Sequence, residues 1–390
     1  MTSQPIAPQD MASSGSNIQY HGKVGDLFII YLKYVIFSTL TLGIYYFWGE
    51  AQKRRYLWSQ TSFAGERLEY TGRGMETFKS FMLFALAIIG IFIVLFFLFS
   101  MFLSVEIAPV VASYLITFSL LLLLPVGQYF ALRYRLTRTS WRGVRGNLTG
   151  SAWRYMGRYW GSGILSVLTL GLMTPRLSTW LAIYPLSQTK LGNTPLEVTA
   201  KPGDAPYKSY ILYYLFSIVF GVLVYFMIFA GMIMAFEIMA ASGDPFAPSP
   251  QDIYAMLPPI LGDLFFTAEG AVSYSTIMTL YILVLLVLPI ITVFSCWWRA
   301  QMFRFLAGNL TLAGGQFRSD LTAPKLFRLV ALNFLITVFS LGLLYPWTLH
   351  RTMRYIHGSL GYGPTEGLED LVQNSDPRPS YGEGLAEFAG

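Results

Sequence analysis

The chain has 390 residues, of which 54% are hydrophobic and only 12% charged, with a mean hydropathy of +0.50, against roughly 25% charged residues in an ordinary soluble chain. That composition describes a membrane protein, and the single cysteine, Cys296, excludes an internal disulfide framework and a thiolate metal cluster. The formal charge of +6 does not point to nucleic acid, because the basic residues are interleaved with apolar segments instead of gathered on one soluble domain.

Residues 1–19 are rich in Ser, Gln, Pro and Ala and lack the basic start and apolar run of a secretory signal, so they read as a disordered tail. Beyond them the basic residues report topology, since short cytoplasmic loops collect Lys and Arg. Two long stretches carry none. The first, Ser80 to Leu132, predicts spanning helices over about 80–103 and 108–132, joined around Ser104 to Ile107. The second, Ser209 to Trp298, predicts spanning helices near 209–236 and 274–298 around a Pro-rich connection that carries Asp244, Asp252, Asp263 and Glu269. Both connections should face away from the cytoplasm.

Three further apolar segments, at about 26–48, 159–186 and 329–349, have basic residues on both sides. Seven full crossings would place the basic-free loop 240–273 and the arginine-bearing segment 299–328 on the wrong sides. Re-entrant or shallow helical hairpins satisfy the charge bias at every loop, and seven spanning helices are the alternative.

The three segments also resemble one another. Ser38 to Gly43 matches Val167 to Gly171 and Phe339 to Gly342, and thirteen residues after Gly43, Gly171 and Gly342 stand Tyr56, Tyr184 and Tyr355. A smaller echo relates Tyr20, Gly22, Lys23, Asp26 and Phe28 to Tyr70, Gly72, Arg73, Glu76 and Phe78. Each set stands where a hydrophobic helix begins, so it reads as a helix entry, or as a basic residue beside helix N–H groups that holds a phosphate or headgroup. The expected architecture is an all-α polytopic membrane protein with internal repeats, about four spanning helices and three repeated hairpins, with short strands or turns in polar stretches such as Thr61 to Gly74 and Gly146 to Gly150. Repeat 1 covers 20–132, repeat 2 covers 133–298, and a partial third covers 299–362. Residues 363–390 carry six acidic residues and only Arg378, and read as an acidic disordered tail.

Thr41-Leu42-Gly43-Ile44-Tyr45 with Phe47-Trp48, then Arg54-Arg55-Tyr56, Thr61, Gly65 and Tyr70-Thr71-Gly72, resemble the YjgN or DUF898 family of bacterial inner-membrane proteins of uncharacterised function. Leu341-Gly342, Pro346-Trp347, Arg351 and Arg354-Tyr355 carry the same resemblance, which covers about 20–362. The middle copy departs from it, with Arg176 where Trp48 and Trp347 stand. The resemblance implies a bacterial inner-membrane location and multiple spans, and transfers no activity.

Charges inside apolar segments are costly, about 2.5–3.5 kcal/mol at mid-membrane, which singles out Lys33, Arg176 and Glu237. Arg176 follows Pro175 where a hairpin tip is expected and would face an internal polar cavity. Lys53, Arg54, Arg55, Arg351 and Arg354 are basic anchors near helix ends and candidates for anionic lipid headgroups. His350 and His357 lie on one helical face without an acidic partner fixed by spacing, so no metal site is expected. No nucleophile elbow, Walker sequence or HExxH is present, and neither an enzyme nor a cofactor is expected. The function expected first is a transporter or channel-like protein, and the alternative is a lipid-headgroup-binding scaffold without transport or catalysis. Both termini are expected in the cytoplasm, with the bilayer as partner and the oligomeric state open.

Overall fold

The computed structural model describes residues 18–241, 252, 255 and 274–373. They divide into two compact units, one formed by residues up to 205, 302–321 and from 328, the other by 206–301 and 322–327.

Helices dominate both units. Two of the helices long and apolar enough to cross a membrane lie in the first unit, α3 (Gly74–Ser100) and α4 (Ala108–Thr137). The second unit contains α7 (Tyr207–Ala241) and most of α8 (Tyr274–Gly308), the other two such helices. At about 1.5 Å per residue, the 27 residues of α3 exceed a hydrocarbon core of about 30 Å. All four reach past the apolar stretch that announces them: α3 starts six residues earlier than hydropathy suggests, and α4 and α8 run on into arginine-bearing turns.

The other six helices form three pairs, each with members of 17 and 14 residues: α1 (Val24–Leu40) with α2 (Tyr46–Ser59), α5 (Ala152–Leu168) with α6 (Thr174–Ser187), and α9 (Ala323–Phe339) with α10 (Tyr345–Gly358). The turns share one geometry. Leu42, Leu170 and Leu341 take φ near 50°, and the following Gly43, Gly171 and Gly342 take φ of 91°, 87° and 83°. The amide of each glycine donates back to Ser38, Ser166 or Thr337, at 2.7, 2.6 and 2.8 Å. This six-to-one closure satisfies carbonyls left over at the end of the first helix. The tip leucines point outward, Leu42 being 94% and Leu341 92% exposed. Such apolar ends are built for lipid.

The polar segments between the helix pairs are not the turns or isolated strands of an all-α protein. They form eleven short strands among the described residues, which corrects the expected fold class. These are β1 (Ile18–Tyr20), β2 (Thr61–Phe63), β3 (Glu66–Tyr70), β4 (Thr139–Trp141), β5 (Val144–Leu148), β6 (Thr189–Leu191), β7 (Thr194–Pro195), β8 (Glu197–Val198), β9 (Leu310–Leu312), β10 (Gly315–Ser319) and β11 (Leu360–Gly363). One sheet runs in the order β1 to β7, the other β11-β10-β9-β8. Ala64-Gly65, Arg142-Gly143 and Ala313-Gly314 each have both residues at positive φ, the type I′ turn whose twist suits a two-residue hairpin. Strands of two to five residues are too short for an alternation signal, and most of their pairings join distant parts of the chain.

Those pairings decide where the helices go. β1 pairs with β2 across α1–α2, β3 with β4 across α3–α4, β5 with β6 across α5–α6, β8 with β9 across the segment holding α7 and α8, and β10 with β11 across α9–α10. Each pair of helices therefore leaves from a strand and returns to that strand's neighbour. The 17-residue helices fold back on their 14-residue partners, and among the described residues four helices, not seven, are long and apolar enough to cross a membrane.

The two sheets share an apolar core of Ile18, Phe63, Trp141, Leu312, Tyr362 and Leu368. Phe63 stands 5.4 Å from Trp141 and 5.1 Å from Tyr362, ring centre to ring centre. Trp141 donates its indole N–H to the Phe63 carbonyl at 2.9 Å, and Tyr362 donates its hydroxyl to Leu312 at 2.6 Å, so burial leaves neither polar handle unpaired.

Both expected tails need shortening. Ile18 and Gln19, placed in the N-terminal tail, belong to β1. The C-terminal stretch packs through Gln373: Leu368 is buried in the sheet core, and the Val372 carbonyl accepts from the Asn193 amide at 3.1 Å. The acidic composition that suggested disorder conceals Leu368 and Leu371, which reach that core. The remaining tail residues, 1–17 and 374–390, lie outside the described residues.

Candidate functional site

The helix ends nearest the strands carry the cationic residues of interest. Lys53, Arg54 and Arg55 come from α2. Glu50, one turn earlier, accepts from Lys53 Nζ at 2.6 Å and from Arg54 Nε at 3.0 Å, with all three side chains largely buried. Arg55 is exposed and donates Nη2 to the Gly72 carbonyl at 3.3 Å. α3 contributes Glu76 in its first turn, where a carboxylate complements the helix dipole. Glu76 accepts from Arg138 Nη2 at 2.9 Å and from the Tyr134 hydroxyl at 3.0 Å. The start of α3 is thus fastened to the end of α4.

Tyr70, at the end of β3, sits among these groups. It is 5% exposed and lies within electrostatic reach of Arg54, Tyr134, Glu50 and Arg138. Burial pushes its hydroxyl well above the usual value, against the opposing pull of Arg54, so it remains a neutral phenol. Glu50, Tyr70, Arg73, Thr77 and Tyr134 help line a small pocket beside it. Gly72 closes one side, where a Cβ would stand 2.6 Å from the Tyr70 ring.

Charge pattern led to Arg54 but missed Arg135, Arg138, Glu50 and Tyr70. The available signal was Arg133-x-Arg135-x-x-Arg138 closing an apolar run, which by itself reads as a row of interfacial anchors.

The remaining candidates are dispersed. Lys33 is exposed on α1. Arg176 is exposed in the first turn of α6, just after the Gly171 turn, instead of facing an internal cavity. Of Glu237 only its place in α7 is described. Arg351 is half-buried and Arg354 exposed on α10, which packs on α1 through Tyr31 and Tyr345, 5.5 Å apart. His350 and His357 both lean on Tyr20, with ring centres 5.5 and 6.2 Å away. Burial holds both imidazoles below their ordinary range, aided by Arg354 at His350 and opposed at His357 by its Nδ1 hydrogen bond to the Met353 carbonyl. Among the described residues no three His, Cys, Asp or Glu side chains gather to hold a metal ion.

Four helices long and apolar enough to cross a membrane, and helical hairpins with exposed apolar surfaces, define a polytopic membrane protein. Residues 16–388 match the family described as bacterial protein of unknown function, DUF898, and the chain belongs to that family. It is also similar to the inner membrane protein YjgN of Escherichia coli O157:H7, at 30% identity over 149 residues, 38% of this chain. The match spans about a third, 34%, of that relative's length. No solved structure matches the chain.

Proposed function

We propose that this chain is a bacterial inner-membrane protein that gathers anionic lipid headgroups at the basic boundary between its helices and its strand layer, as a scaffold and not as an enzyme. The observation that carries this reading is the concentration of cations at one level: Lys53, Arg54 and Arg55 late in α2, and Arg133, Arg135 and Arg138 at the end of α4. The outward apolar helices support reading that level as the edge of a bilayer, where each Lys or Arg would attract an anionic surface by about 1 kcal/mol. The positive-inside bias makes the strand side cytoplasmic, with both termini. The hairpins α1–α2, α5–α6 and α9–α10 are read as copies of one unit, supported by their equal lengths and shared leucine–glycine turn.

The test is native mass spectrometry of the full chain with phosphatidylglycerol against phosphatidylcholine. Preferential retention of phosphatidylglycerol, diminished when Arg54, Arg55, Arg351 and Arg354 become alanine, is the expected result. Equal retention of the two lipids by the wild-type protein removes the reading.

Transport is the second reading. It is favoured by Arg176, a cation exposed beside the apolar tip of the α5–α6 hairpin, where a charge is costly unless it has a task or a partner. Solute flux in proteoliposomes that falls in Arg176→Ala would support it, and flux no greater than in empty vesicles would dismiss it.

A further inference from the structure

Several cations gather around Tyr70 in a partly buried place. Glu50 serves Lys53 and Arg54, and Glu76 serves Arg138 and Tyr134. Arg135, in the last turn of α4, lies within electrostatic reach of Arg54, Tyr70 and Glu50. Its Nε is buried without a hydrogen-bond partner, as is Nε of Arg138. Lys53, Arg54 and Arg138 each pair with one of these carboxylates, while among the described residues Arg135 makes no ion pair of its own. Burying a guanidinium N–H unsatisfied is costly, and more so beside a second cation. Helix geometry spaces Arg135 and Arg138 one turn apart on α4, so their side chains lie on neighbouring paths of one face.

Resting on the headgroup reading above, we propose that Arg135, together with Arg54 and Arg138, forms a discrete site for a phosphate group at the strand end of α4. A phosphate supplies what this place lacks: negative charge and several acceptor oxygens for guanidinium forks. Tyr70 adds a neutral hydroxyl to the surroundings without adding charge, and Glu50, Tyr70, Arg73 and Tyr134 line a small adjoining pocket. At the boundary of a spanning helix the phosphate comes either from a lipid headgroup or from solution.

Two measurements on the full-length protein decide the matter and identify the source. In the first, delipidated protein in a neutral detergent is unfolded by heat with inorganic phosphate or with chloride at matched ionic strength. The wild type should show a saturable upward shift specific to phosphate, and Arg135→Met should not. In the second, native mass spectrometry with phosphatidylglycerol should show one tightly held lipid whose retention falls roughly tenfold in Arg135→Met, the scale of losing one charge-assisted hydrogen bond, while weaker adducts persist. A phosphate shift without the lost lipid assigns free phosphate, and a lost lipid without the phosphate shift assigns the headgroup; either supports the site. If wild type and Arg135→Met behave alike in both, the site is wrong even when the general preference for anionic lipid stands. If the wild type shows no phosphate shift and no lipid preference, the headgroup reading falls with it. Should Arg135→Met fail to fold, competition of phosphate against the tightly held lipid on the wild type replaces the comparison: displacement supports the site, and no displacement together with no phosphate shift overturns it.

Discussion

Tyr184 and Ser151 hold each other twice: the Tyr184 hydroxyl donates to the Ser151 carbonyl and accepts from the Ser151 amide, both at 2.9 Å. Ser151 is the residue before α5 and Tyr184 lies in the last turn of α6, so the clasp closes the mouth of that hairpin. Tyr56 does the same to Lys23 at the mouth of α1–α2, at 2.9 and 2.8 Å. Neither Lys23 nor Ser151 caps its helix with its own side chain. The tyrosine oxygen joins the two chain ends where a helix entry would otherwise be held by water.

Removing that oxygen while keeping the ring isolates its contribution. Tyr184→Phe is expected to lower stability by about 1–3 kcal/mol, the net worth of two hydrogen bonds in a buried setting. Tyr56→Phe should cost less, because its contacts are open to solvent. Denaturant unfolding of the detergent-solubilised protein measures both, and an effect larger at Tyr56 than at Tyr184 would contradict the account.

Gly192 reports on the C-terminal segment. Its φ of 58° favours glycine, and a Cβ there would stand 2.2 Å from the Val372 carbonyl oxygen. Gly192→Ala should therefore push 368–373 away from the sheet, breaking the Asn193–Val372 hydrogen bond and the 2.7 Å bond from the Arg145 amide to Gln373 Oε1. Amide hydrogen exchange should quicken in that segment and in the β6–β7 turn while α3 stays as in the wild type. Unchanged exchange at 368–373 would refute the packing.

Stability should fall on acidification through the histidines beside Tyr20. Burial lowers the pKa of His357 and of His350 below the ordinary 6.5, so the unfolded chain takes up protons first as pH drops. Their contribution is complete above about 6.5 and is lost between that value and the lower folded values. The melting temperature of the wild type should decrease from pH 7.5 to 5.5, and His357→Gln should flatten the decrease. An unaltered pH profile in the variant would exclude His357 as a source.

Hairpins that turn back make a sharp labelling pattern. Cys296 is buried, so single cysteines can be introduced at Ser104, Glu66 and Leu42 over a quiet background. Ser104→Cys, between α3 and α4, should react with a membrane-impermeant maleimide from the periplasm, and Glu66→Cys, in the strand layer, only after permeabilisation. Leu42→Cys should react poorly from either side despite its exposure in the isolated chain, because 17 helical residues reach about 25 Å into a core of about 30 Å. Ready labelling of Leu42→Cys from the periplasm would mean that the hairpin crosses.

What could be seen before any fold was the medium and the coarse path: hydropathy announced α3, α4, α7 and α8, and the matching glycines Gly43, Gly171 and Gly342 marked three similar segments. These are local quantities, summed over neighbours in sequence, and a bilayer makes them decisive because every exposed polar backbone group there is costly. The pairing of the short strands into sheets was hidden for the opposite reason. Leu68 finds its partner at Trp141 and Glu197 at Thr311, and such brief strands persist only because Phe63, Trp141 and Tyr362 converge on one core from distant parts of the chain. The same holds at the candidate site. A charge has no meaning until its neighbours are known: Arg55 and Arg135 look alike as residues in a row, and only the tertiary structure leaves Arg55 at the surface against a backbone carbonyl and gives Arg135 a buried, unanswered donor beside a second guanidinium.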